Sequence, residues 1–103
     1  MSALINFQEI YAKKILQIEF NNIEKSNALN LDMLDTMISK LSIPSYINQF
    51  RCLVITGANK SPFSAGADLI DIKKLIKEKE INIYHDKMDD LLEIIAKLSI
   101  PSV

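Results

Sequence analysis

Apolar residues at the front of the chain fall in two short runs. Ile5, Phe7, Ile10 and Tyr11 precede the polar Lys13-Lys14 pair, and Ile15, Leu16, Ile18 and Phe20 follow it. Runs of β-formers on either side of a polar break predict two strands joined as a hairpin over residues 4–20. Clean alternation is confined to Ile18 and Phe20 against Gln17 and Glu19, so the pattern leaves the register near Ala12 open. The polar stretch from Asn21 to Ser26 reads as a loop. Asn30 is then placed to cap a helix in which Leu31, Leu34, Ile38 and Leu41 recur at i, i+3, i+7 and i+10 and form one apolar stripe. Pro44 is the expected stop.

Arg51 to Thr56 is a short apolar run without alternation, which suits a central strand covered on both faces in a mainly parallel sheet. Turn formers from Gly57 to Pro62 predict a loop, and Phe63-Ser64-Ala65-Gly66-Ala67-Asp68-Leu69 leads into a second helical pattern. There Leu69, Ile72, Leu75 and Ile76 mark the expected buried side, with Lys73, Lys74, Lys77, Glu78 and Lys79 toward water. A third helix is expected from about Tyr84, with Met88, Leu91, Leu92, Ile95 and Leu98 on one face and Pro101 as its end. Ser99 to Val103 resembles the start of a further strand, so the chain is expected to stop in mid-domain, with an unpaired sheet edge.

The remaining sequence features mostly exclude. A chain of 103 residues leaves no room for two independent cores, and 49% hydrophobic with 24% charged residues is ordinary globular usage. Twelve basic and thirteen acidic residues give a formal net charge of -1, with no basic block calling for nucleic acid. Cys52 has no second cysteine to pair with, which suits a reduced, cytoplasmic compartment. No apolar run approaches the ~18 residues that span a bilayer, so no membrane partner is expected.

Both glycines of the chain, Gly57 and Gly66, lie between the expected strand at 51–56 and the second helix. Gly66 can take backbone angles closed to other residues and let a ligand approach the main chain. The next amide, Ala67 N–H, then falls near a helix start, where unpaired amides and the helix dipole suit negative charge growing on an oxygen. On spacing alone the segment is more simply a plain helix start, with Asp68 favouring the first turn and Gly66 needed for a tight bend. No Gly-Lys-Ser or Gly-Lys-Thr follows and no GxGxxG is present, which disfavours nucleotide chemistry.

Thr56-Gly57 followed by Phe63-Ser64-Ala65-Gly66-Ala67-Asp68-Leu69 resembles the first oxyanion segment of the crotonase (enoyl-CoA hydratase/isomerase) family. Asn27-Ala28-Leu29-Asn30 resembles its early acyl-CoA loop. The two segments stand in the family's order, and the resemblance runs from about Ile5 to Val103. It implies an α/β chain: the N-terminal portion of a crotonase-like (ClpP/crotonase) ββα-repeat fold, truncated before the later strands and helices. Residues 1–103 would then be the N-terminal part of a single domain. It further implies an acyl-CoA-binding protein of fatty acid metabolism, a lyase or isomerase by family, with a CoA thioester as substrate or ligand and no metal or other cofactor. Ala67 N–H would be one of two backbone donors to the thioester oxygen, stabilising an enolate. Lys25, Ser26, Asn27 and Ala28 would line the CoA path, with Lys25 a candidate partner for a phosphate. The backbone at Ala65 would meet the adenine end. Gly66, Asp68 and Leu69 complete the implied substrate-binding set, Asp68 with a structural role.

Where the family often carries an arginine and a proline before its Asn-Ala-Leu segment, this chain has Asn22 and Ile23. The family's second oxyanion segment and its catalytic acids are expected after Val103, so the isolated chain is expected to be inactive. The alternative is a non-catalytic CoA-binding or partner-pairing module, with a homo-oligomer or a complementing chain as candidate partner. No acid within the chain is an evident substitute. Adjacent Asp89 and Asp90 diverge by about 100° on a helix and read as solvated. Glu93 and Lys97, four apart, read as a surface ion pair, His85 as a surface or interface residue, and Cys52, Met33, Met37 and Met88 as core packing.

Overall fold

The computed structural model describes residues 4–12, 14–58 and 62–103. Lys13 of the expected hairpin break and residues 59–61 of the expected loop lie outside them. Strand β1 (Ile5–Ile10) pairs antiparallel with β2 (Ile15–Phe20), and Ile5 stands opposite Phe20 and Ile10 opposite Ile15. The expected hairpin is therefore present, and its register is closed: Tyr11 and Ala12 both take left-handed backbone angles, φ 53° and 57°. Along β2 the alternation extends further than the sequence suggested. Leu16, Ile18 and Phe20 are buried, and Ile15, Gln17 and Glu19 are half-buried.

After β2 the chain makes a 3-10 turn at Ile23–Lys25 inside the segment read as a loop, then enters helix α1 (Leu31–Leu41). Asn30 caps α1, its side chain accepting from Met33 N–H at 2.8 Å, as the sequence predicted. The buried face differs from the expected stripe. Met33, Leu34, Met37 and Leu41 are buried while Leu31 and Ile38 are only half-buried, because unbranched methionines reach into the space over the sheet. Pro44 does not simply stop this helix. Ser42 caps α1, and Pro44 opens a short helix α2 (Pro44–Ile47), where its missing N–H costs nothing.

Strand β3 (Cys52–Gly57) pairs parallel with β2, Leu16 opposite Leu53 and Ile18 opposite Ile55, so the order is β1-β2-β3. β3 has bonded neighbours on both edges, as expected of a central strand, but the expectation that both its faces are covered is corrected here. β2 is the middle strand of the three, and of β3 only Leu53 is buried among Cys52 to Gly57. The inner face of the sheet, with Ile5, Leu16, Ile18, Phe20 and Leu53, packs with α1 in one core cluster. The other face, with Cys52, Val54 and Thr56, is half-open, so Cys52 is not core packing. On its far edge β3 meets the last residues of the chain. Leu53 N–H donates to Pro101 C=O, Val103 N–H to Leu53 C=O and Ile55 N–H to Val103 C=O, each at 2.9 Å, in the parallel sense expected of a further strand.

Helices α3 (Leu69–Lys77) and α4 (Asn82–Ala96) complete the chain. Leu75 is buried and Ile72 half-buried, but Leu69 and Ile76 are exposed, contrary to the expected stripe. Only the Ile72–Leu75 side of α3 reaches the core cluster. In α4, Tyr84 and Leu91 are buried and Met88 and Ile95 pack against the core, as does Leu98 just beyond the helix, whereas Leu92 is exposed and Ile94 packs in its place. The helix ends at Ala96, before Pro101. Asp89, Asp90 and His85 are exposed, and Glu93 accepts from Lys97 Nζ at 2.6 Å, as the sequence indicated. Among the described residues no helix is long and apolar enough to cross a membrane.

Candidate functional site

Two segments meet at the carboxyl ends of the parallel strands: residues 21–30 after β2, and residues 58 and 62–68 after β3. In open α/β sheets this is the end where ligands collect. Ala58 N–H donates to Phe20 C=O at 2.8 Å and ties the loops together at their roots.

Asparagines organise the first loop. Asn22 is buried; its N–H donates to Asn27 Oδ1 and its Nδ2 to Ala28 C=O, both at 2.8 Å. Asn27 is fully buried, and its Nδ2 crosses to Pro62 C=O at 2.8 Å. Ser26 and Asn27 both hold left-handed angles, φ 52° and 59°, uncommon for residues other than glycine. Such strain persists where surrounding bonds over-determine it, and here they do. Gly57 makes room for the crossing. A Cβ there would lie 3.0 Å from both Asn27 Nδ2 and Pro62 O.

The second loop is stitched to the first by main-chain bonds. Ala65 N–H donates to Ser26 C=O at 2.9 Å, and Ser64 Oγ donates to Asn27 C=O at 2.8 Å while accepting from Gly66 N–H. Leu29 N–H donates to Gly66 C=O at 2.7 Å, and Asp68 N–H to Leu29 C=O at 3.0 Å, which makes a one-residue parallel bridge between Leu29 and Ala67. Gly66 takes φ 93°, and a Cβ there would meet only open space, so glycine is needed for its angle and not for clearance. A trans peptide aims its N–H opposite to its C=O. With Gly66 C=O bound to Leu29, Ala67 N–H points away from Leu29 and, among the described residues, meets no acceptor.

Asp68 caps α3. Its Oδ1 accepts from Ile70 N–H at 2.8 Å and Asp71 N–H at 3.1 Å, and Oδ2 pairs with Lys25 Nζ at 3.3 Å. Burial pushes its pKa upward, but the Asp71 and Ile70 amides and the Lys25 ammonium outweigh that and hold the carboxyl below its ordinary range. Lys25 is thus engaged by a buried carboxylate.

Lys25, Ala28, Ala65, Ala67, Asp68 and Leu69 together line a cleft of about 360 Å³, with Ile70 as a further wall. Six of the nine residues singled out in the sequence are therefore brought together. Ser26, Asn27 and Gly66 do not line it and act behind it through the bonds just described. Sequence reasoning missed Ile70, Asn22, Ser64 and Tyr84. Asn22 stood out only as a departure from a family pattern, whereas Ser64 lay in the quoted motif without a role. Tyr84 sits in the first turn of α4, where no local signal separates it from ordinary core.

The helix-backed mixed sheet with its loop cleft is an α/β arrangement of the crotonase type. The enoyl-CoA hydratase/isomerase family model matches residues 11–103, and the chain belongs to that family. It is 28% identical over 92 residues to the short-chain-enoyl-CoA hydratase of Clostridium acetobutylicum, covering 87% of this chain and 35% of that protein. An enoyl-CoA hydratase structure from Bacillus anthracis superposes with a TM-score of 0.83 at 24% identity, covering 96% of this chain and 38% of the other. An enoyl-CoA hydratase/carnitine racemase from Magnetospirillum magneticum gives 0.82 at 20% identity, covering 99% and 38%. These structural likenesses establish the fold. The chain spans little more than a third of the length of the relatives it matches.

Proposed function

We propose that the cleft binds an acyl-CoA and that Ala67 N–H donates to its thioester carbonyl oxygen. The observation that carries this is the direction of Ala67 N–H: an amide with no acceptor among the described residues, held on both sides by bonds to Leu29, beside a cleft lined by Ala28, Ala65 and Leu69. A preorganised donor of this kind contributes most when charge moves onto the oxygen, as in a thioester enolate, because it needs no reorganisation at that moment. The loop at Lys25 to Ala28 lies along the CoA path, and the Ala65 backbone lies toward the adenine end. Lys25 is nearly half exposed and its ammonium keeps further N–H donors, so it can meet a CoA phosphate while still paired with Asp68.

The chain of 103 residues does not turn substrate over by itself. Among the described residues Asp68 is the carboxylate in the cleft lining, and it is occupied as a helix cap and ion-pair partner, which leaves it unfit to carry protons. Calorimetric titration with acetyl-CoA tests the binding claim, with saturable binding expected; a folded chain that takes up no ligand would refute it. Hydration of crotonyl-CoA, followed by loss of its conjugated absorbance, is expected to be undetectable.

A second reading is a partner-pairing module of the same fold in a cytoplasmic setting. The half-open outer face of β3 and the exposed Ile76 and Leu92 support it. Mass measurement in solution tests it: a strictly monomeric chain at high concentration counts against it.

A further inference from the structure

Leu29 C=O accepts two hydrogen bonds: Asp68 N–H at 3.0 Å and the Tyr84 hydroxyl at 2.5 Å. Tyr84 comes from α4, 55 residues further along the chain, and only 3% of its surface is exposed. It is anchored by the core, so its hydroxyl has a fixed position rather than the freedom of a surface side chain. Burial and the nearby Asp71 and Asp68 charges push its pKa up, partly offset by the Asp68 N–H, so it remains a phenol and a donor.

Leu29 in turn holds both peptides that flank Ala67. Its N–H fixes Gly66 C=O, and its C=O fixes Asp68 N–H. A shift of Leu29 therefore rotates the Ala67 amide. We propose that Tyr84 is a positioning residue for the Ala67 donor, acting through Leu29 C=O from a helix that does not itself line the cleft. This rests on the reading of Ala67 as a ligand donor, but its first consequence concerns the ligand-free protein and is judged there.

The test compares the native chain with Tyr84→Phe by amide NMR, then by titration with acetyl-CoA and with free CoA, which lacks the thioester carbonyl. In the absence of ligand, the Ala67 and Asp68 amides are expected to shift while those of Leu16, Ile18 and Leu53 stay in place. The acetyl-CoA dissociation constant is expected to rise about threefold to tenfold, the worth of one neutral hydrogen bond, with the free-CoA constant unchanged. Unmoved Ala67 and Asp68 amides would overturn the proposal, as would equal weakening toward both ligands, which a merely structural role produces. Should Tyr84→Phe fail to fold, uniform 3-fluorotyrosine substitution strengthens the donor without deleting it. The same two amides must then move relative to the unlabelled protein, and their failure to do so overturns the proposal. If the ligand-free shifts occur but acetyl-CoA leaves the Ala67 amide of the native protein unmoved, the site reading fails and the positioning role stands.

Discussion

The sheet with α1 and the cleft beside it are built by different forces. In the first, Leu16, Ile18, Met33, Leu34 and Leu53 are all fully buried, and apolar area removed from water holds the parts together. In the second, the cohesion is polar. Asn22, Asn27, Ser64, Asp68 and Tyr84 satisfy one another and the main chain, and the buried asparagines are bonded in place of apolar packing. An apolar core tolerates a lost methylene by partial collapse. A polar cluster loses a bond and leaves a partner stranded, so its failures are local and directed at the cleft.

That contrast can be broken first on the core side. Leu34→Ala is expected to destabilise the fold by about 2–5 kcal/mol, read by urea or thermal unfolding. This is a large part of the roughly 5–15 kcal/mol that a domain commands, and it affects the whole molecule. Asn27→Ala is next. It strands Asn22 N–H and Pro62 C=O and places alanine at φ 59°, with an expected cost of about 2–3 kcal/mol. Here acyl-CoA binding should be lost under conditions where the chain is still folded, which separates the two regions in a single variant.

Asp68→Asn removes the charge but keeps an acceptor for the cap, and is expected to cost about 1–2 kcal/mol at neutral pH. Folding lowers the Asp68 pKa, so the charged form's contribution is complete above the ordinary aspartate range and is lost as pH falls through the lower folded-state value. Unfolding measured across acidic pH should therefore show the native chain and Asp68→Asn converging as the pH drops. A gap that persists in strong acid would place the effect in packing. Smallest of all, Lys97→Ala breaks an exposed ion pair and should leave the unfolding midpoint unchanged.

How much of this was legible follows the same division. Periodicity located the hairpin, α1 with its Asn30 cap, the strand at 52–57 and the two later helices, because each carries its own apolar pattern. The errors came where a third element decides. Leu69 and Ile76 sit at helical spacing with Leu75, yet nothing among the described residues covers their side of α3. The run Cys52 to Ile55 looks doubly buried from its composition, but its outer face has no covering layer among the described residues. Pro44 was read as a stop when the N1 position of a new helix suits it equally. In the cleft, the motif around Gly66 located the backbone. Its supports, Asn22 and Tyr84, lie 44 residues before and 18 residues after Gly66 in the sequence and show their role only once the loops are folded together.

The central claim is that Ala67 N–H is the donor to a thioester carbonyl. The most direct measurement follows the Ala67 amide resonance during titration with acetyl-CoA and, in parallel, with the ethyl thioether of CoA, which has the same shape but no carbonyl. The account predicts a saturable shift at Ala67 with acetyl-CoA and a much smaller one with the thioether. Saturable binding of both ligands with the Ala67 amide unmoved, or moved equally by each, would contradict it.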